Sequence, residues 1–209
     1  MNLNACRFTF LLLVISLGSQ LSGCFGTSPP TRFYTLSSPE IPTGPTQAGL
    51  DVVLRVGPLT FPEYLDRRQI VSRSGQNGIA LAEFDQWSGP LEDEVTRVLV
   101  AGIAEKLASP RIAVLSGKFS GYPDTVKWYR IPVKVIRFDG FRGGTVALSV
   151  VWGIIEKRDM HEKHLFTRES TITEAVAGNS YEALVAAMGR AAGKLAREMA
   201  DHLAALIPK

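Results

Sequence analysis

From Lys127 to Val176 the chain alternates, and that alternation restricts the fold more than any other feature. Tyr129, Ile131, Val133 and Val135 fall in one phase, with Arg130, Pro132 and Lys134 in the other. A period of two puts successive side chains on opposite faces of a strand, and Pro is tolerated there at an edge. Gly140 to Gly144 (G-F-R-G-G) reads as a turn that needs positive φ. Val146, Leu148, Val150, Trp152 and Ile154 then alternate, and Glu156 to Lys163 turns the chain again. Leu165 to Val176 is a third, more polar strand in which Thr167, Thr171 and Thr173 supply β propensity. The pattern predicts a long antiparallel meander with one apolar face that another layer must cover.

Two segments of helical period can supply that layer. Trp87-Ser88-Gly89-Pro90 opens the first: Pro is favoured in a first turn, and Glu92, Asp93 and Glu94 suit the positive end of the dipole. Leu91, Val95, Val98, Leu99, Gly102, Ile103 and Leu107 make its apolar stripe, and Ser109-Pro110 stops it. Asn179-Ser180-Tyr181-Glu182 resembles a capping box with Asn179 as the cap. The helix it opens runs to about Leu206 with Leu184, Met188, Leu195, Met199, Leu203 and Leu206 on one face. Its many alanines and glycines allow close approach of a partner element. Arg32–Leu36, Asp51–Gly57, Gln69–Arg73, Ile79–Phe84 and Ile112–Leu115 read as shorter strands, the first segment joined to the rest by a Pro/Gly-rich linker and the second ended by Gly57-Pro58. The expected fold is α/β: a single domain, a mixed β-sheet with a long antiparallel meander packed by two long helices.

The first residues read as an address rather than as fold. Arg7 precedes a ten-residue apolar run, Phe8 to Leu17, which is too short to span a bilayer and suits the core of a signal peptide. Leu21-Ser22-Gly23-Cys24 follows and resembles a bacterial lipobox. Small residues fit the peptidase pocket, and the Cys24 thiol takes the diacylglycerol. The division expected is 1–23 as leader, 24–49 as lipidated N-terminus, first strand and linker, and 50–209 as the domain proper. More than one acyl chain gives stable anchoring. The remaining cysteine, Cys6, leaves with the leader, so no disulfide forms in the mature chain. Phe25, not Asp, follows the lipidated position, which in Gram-negative sorting favours the outer membrane.

His161 and His164 stand in M-H-E-K-H at an expected hairpin tip without a third ligand, and His202 among charges reads as exposed. There is no phosphate-binding G-x-x-x-x-G-K-[ST] and no G-x-S-x-G elbow. A formal net charge of +3 without a basic run argues against nucleic acid. The expectation is therefore a protein with no enzymatic activity, no metal and no cofactor, apart from the covalent diacylglycerol and acyl chain on Cys24.

What stands out instead is Val56 to Leu91, where Phe61, Tyr64 and Trp87 lie among Asp66, Arg67, Arg68 and Arg73, with Pro58, Pro62 and Pro90 fixing turns. Asp66 is expected to pair with one of the neighbouring arginines. Aromatic residues with arginine are enriched at interface centres, while each aromatic is equally a candidate for the core.

V-G-P-L-T-F-P-E-Y-L-D-R-R-Q-I-V-S-R, followed by E-F-D-Q-W-S-G-P-L, resembles the signature of the PqiC-type auxiliary lipoproteins of ABC-type and MCE-type transport systems. Phe33–Leu36 (F-Y-T-L) and the lipobox are similar as well, and the likeness covers essentially the whole mature chain. Arg68 stands where the family usually has Pro, and Ser88-Gly89 where it commonly has Ala-Glu. The resemblance implies a lipid-anchored α/β domain on the periplasmic face of the outer membrane. Its partner would be an MCE-domain protein served by an ABC permease and ATPase, its cargo phospholipid or another hydrophobic molecule, and self-association into a homo-oligomer is a further implication. Cys24 would be the lipid-attachment site, and Phe61, Tyr64, Asp66, Arg67, Arg68, Arg73 and Trp87 the candidate partner-binding residues. A stand-alone periplasmic lipid- or glycan-binding lipoprotein is the alternative.

Overall fold

A computed structural model of the chain describes residues 28–39, 49–119, 127–158 and 161–207. The leader, Cys24 and most of the Pro/Gly-rich linker therefore lie outside the described residues. Within the unit Thr31–Lys209 the order is β1 (Arg32–Tyr34), β2 (Val52–Thr60), a 3₁₀ turn (Glu63–Leu65), β3 (Gln69–Arg73), β4 (Ile79–Trp87) and α1 (Leu91–Leu107). Then follow β5 (Ile112–Ser116), β6 (Lys127–Gly140), β7 (Thr145–Arg158), β8 (His161–Ala175) and α2 (Tyr181–Leu206).

The meander forms as its period predicts. β6, β7 and β8 pair antiparallel, with Val135 opposite Val150 and Trp152 opposite Arg168. β2 joins this meander through parallel pairing with β6, and β5 adds outside β2, also parallel, giving the order β5-β2-β6-β7-β8. The strands expected as one mixed sheet divide into two. A separate three-stranded sheet, β1-β4-β3, is built from the β3–β4 hairpin and the parallel strand β1.

Both helices cover one face of the larger sheet. Tyr129, Ile131, Phe138, Leu148 and Ile154 from the sheet meet Leu99, Ile103, Leu184, Leu195 and Leu203 from the helices in one buried cluster. The helices approach closely because Gly102 of α1 has no side chain. A Cβ there would stand 2.7 Å from the Cβ of Ala196, nearer than such atoms come.

Several local expectations shift. β2 does not end at Gly57-Pro58. Gly57, at φ 124, makes a bulge, and pairing resumes at Leu59 opposite Val133. The tip expected at Glu156–Lys163 is shorter, since β7 and β8 stay paired as far as Arg158 opposite His161. The cap of α2 is Ser180, one residue after Asn179, with its hydroxyl accepting from the Ala183 amide at 3.1 Å. His202, expected exposed, is half-buried and meets the Trp152 ring edge-on at 5.6 Å, because the last turns of α2 lie over β7 and β8.

Candidate partner-binding surface

After β2 the chain turns at Phe61-Pro62, makes the single 3₁₀ turn and enters β3. Pro62 is extended at φ −60 and starts the turn without a side-chain cap. Leu65 is buried and pins this turn to the core, while Glu63, Asp66 and Arg68 are exposed. Phe61 and Tyr64 are half-buried against the core cluster. Arg67 is half-buried too, with an Nε that has no acceptor. Asp66, Arg67 and Arg68 thus crown a turn whose base is fixed.

The base is fixed by Asp139, a residue the sequence did not single out. Asp139 lies near the end of β6 and is 1% exposed. It accepts from the Tyr64 hydroxyl at 2.7 Å and from Arg137 Nε at 2.8 Å, and Arg73 Nε stands 3.4 Å away. One carboxylate thereby joins the 3₁₀ turn, the small sheet and the large sheet. A buried carboxylate is tolerated only when paired in this way. Arg73, one of the three arginines offered as a partner for Asp66, pairs with Asp139 instead. Burial first, and then the hydrogen bond to Asp139, push the Tyr64 hydroxyl up to about 12.

A second buried acid, Asp85, holds the N-terminal strand. It is 4% exposed, lies opposite Arg32 in the β1–β4 register, and accepts from the Tyr34 hydroxyl at 2.6 Å and from Arg32 Nη2 at 3.0 Å. Burial raises the Asp85 carboxyl, but the hydrogen bonds from Arg32 and Tyr34 outweigh it and hold the group below its ordinary value. The chain beyond β1 is held as well. Glu94 in the first turn of α1 accepts from the Leu36 amide at 2.9 Å, and Arg97 donates to the Leu36 carbonyl. Ser37 crosses α2 at Gly189, where a Cβ would come within 3.4 Å of its amide.

Trp87 follows Asp85 and is 2% exposed, packed in the core cluster. Its ring supports the surface from below, and its amide donates to the Arg68 carbonyl at 2.8 Å. The region 56–91 is thus layered, with Trp87 and Leu65 beneath, Phe61, Tyr64, Arg67 and Arg73 at the rim, and Asp66 and Arg68 outward. Asp139 and Asp85 were discoverable in the sequence only as acids within apolar strand patterns.

A family model for the ABC-type transport auxiliary lipoprotein component matches residues 34–200. The chain belongs to that family. The match runs from the end of β1 into the last two turns of α2. The PqiC intermembrane transport lipoprotein of Escherichia coli (strain K12) is 24% identical over 179 residues, covering 86% of this chain and 91% of that protein, and the Shigella flexneri PqiC matches equally. A crystal structure of an uncharacterized protein superposes with a TM-score of 0.65 at 18% identity, over 84% of this chain and 99% of that one. One from Xanthomonas campestris gives 0.56 at 17%, over 84% and 100%. These two share the fold. The family is one of transport components, and no helix among the described residues is long and apolar enough to cross a membrane.

Proposed function

We propose that this auxiliary lipoprotein is anchored through acyl chains on Cys24 to the periplasmic face of the outer membrane and works by docking. Its partner is the periplasmic MCE-domain protein of an ABC/MCE-type intermembrane phospholipid transport system. The docking surface is the turn carrying Asp66, Arg67 and Arg68, with Phe61, Tyr64 and Arg73 at its rim and Trp87 as its buried support. No cofactor or metal takes part, and the chain performs no chemistry.

The observation that carries this reading is the clamp on residues 32–37. Eight residue steps separate Cys24 from Arg32, so a fully extended tether reaches about 28 Å. Arg32, the domain's point of attachment, then lies no farther than that from the lipidated residue, and the strand it opens is held to the domain by Asp85 and the following segment by Glu94 and Arg97. A short tether ending in a fixed strand keeps the domain near its anchor, which suits a docking component. The two clefts described have volumes of about 280 and 250 Å³, both at or below the lower end of the range for small-molecule sites and far too small for two acyl chains. Neither of these two clefts takes a whole lipid.

Two measurements test it. Cys24→Ala shifts the protein out of the membrane fraction or leaves it unprocessed, and unchanged fractionation removes the anchor from the account. The lipidated protein also retains the MCE-domain protein encoded beside it in a pull-down, and failure to associate with both partners folded removes the docking.

A further inference from the structure

On the face of the large sheet away from the helices, the register sets charges of one sign together. Arg55 of β2 lies directly opposite Arg130 of β6. Two positions from Arg130 along β6 is Trp128, opposite Lys157 of β7. The Arg55 guanidinium lies 4.5 Å and the Lys157 ammonium 4.9 Å from the Trp128 ring centroid, so one indole carries two cations. Like charges opposed across strands destabilise a sheet unless something answers them.

Little does. Glu162 of β8 accepts from Arg130 Nη2 at 2.6 Å and is the one carboxylate paired into the group among the described residues. Lys157 lies opposite the same Glu162 in the β7–β8 register, and among the described residues neither it nor Arg55 makes an ion pair, whereas Arg73, Arg97 and Arg190 each do. The Nε atoms of Arg55 and Arg130 are both shielded from water and lack an acceptor. The 280 Å³ cleft opens beside them, lined by Arg55, Trp128 and Arg130 and floored by Gly57 and Gly117. Across it Lys118 is shared between Asp93 at 2.7 Å and Glu92 at 3.2 Å, and Arg130 is paired with Glu162, so among the described lining residues the cation left without a carboxylate is Arg55. Guanidinium forks match the oxygens of a phosphate, and the space beside them takes a phosphate with a few attached carbons.

We propose that Arg55 and Arg130, beside Trp128 and backed by Lys157 on the same ring, bind a phosphate group, the chemistry shared by a phospholipid headgroup and soluble phosphate. The site stands apart from the turn at 61–68, so its failure and that of the docking surface are separable.

The test uses the processed lipoprotein in non-ionic detergent, titrated with inorganic phosphate and separately with dihexanoyl phosphatidylglycerol while tryptophan fluorescence is followed. The expected result is a saturable change, absent in Trp128→Phe. Affinity falls by about tenfold or more in Arg55→Gln and is unchanged in Lys106→Gln. Tighter binding of the short-chain lipid assigns the site to headgroups, and equal binding assigns it to the phosphate group alone; either supports the proposal. Ligand also raises the Tm of the parent protein but not that of Arg55→Gln, which keeps the test valid if the variant is less stable. No saturable response to either probe, or unchanged affinity in Arg55→Gln, overturns it.

Discussion

Replacing Asp139 by Ala removes the joint between the two sheets, and the structure sets the size of the effect. A hydrogen bond to a charged group is worth about 1.5–3 kcal/mol. The Tyr64 hydroxyl, facing a carboxylate that is 1% exposed, loses most of that. Arg137 and Arg73 lose less, since their side chains are 37% and 23% exposed and water takes up part of the role. Together the loss comes to about 3 kcal/mol, and at about 2–4 °C per kcal/mol for a chain of this size the Tm falls by about 6–12 °C. Tyr64→Phe loses the largest single share and falls by about half as much or more. Thermal unfolding followed by near-ultraviolet circular dichroism reads both, and a double-mutant cycle gives their coupling. If Asp139→Ala melts within a degree or two of the parent, the carboxylate is not the joint and the fixed base of the turn loses its cause.

Other outcomes follow from the same geometry. Asp85 is held below its ordinary carboxyl value, so its contribution is present at neutral pH and lost as pH falls through the lowered value; Asp85→Asn flattens that acid limb of the stability curve. Tyr34 and Tyr64 are raised from 10.0 to about 12, so their contribution holds below pH 10 and is lost between there and about 12. The double variant Tyr34→Phe/Tyr64→Phe shows a shallower alkaline loss in urea titrations across that window. Gly102→Val forces α1 from Ala196 and costs about 1–3 kcal/mol, seen as a lower urea midpoint with an unchanged slope.

Periodicity exposed the elements whose patterns are local. The meander from Tyr129 to Val176 and the stripes of both helices are repeats of two and of 3.6 that need no knowledge of neighbours. Strand order was hidden because pairing is non-local. Nothing near Val52 states that β2 will lie between β5 and β6, and nothing near Arg32 states that β1 will leave the large sheet for β4. Gly57-Pro58 looked like a stop because a bulge and a turn draw on the same residues. The candidate surface was legible as a dense patch of aromatic and charged residues, but not which of them face out. Trp87 went to the core because Asp85 and Trp87 share the inward phase of β4, and a charged inward position becomes interpretable only once Arg32 and Tyr34 are seen beside it.

The most direct measurement of the docking claim is cross-linking in cells between this lipoprotein and the MCE-domain protein encoded beside it. A photoreactive residue replaces Asp66 or Arg68 on the exposed turn, or Lys106 at the far end of α1 as control. The account predicts an adduct with the MCE-domain protein from positions 66 and 68, lost when Cys24→Ala releases the anchor, and none from 106. Equal adducts from all three positions, or none from 66 and 68 while the protein is folded and membrane-bound, contradict it.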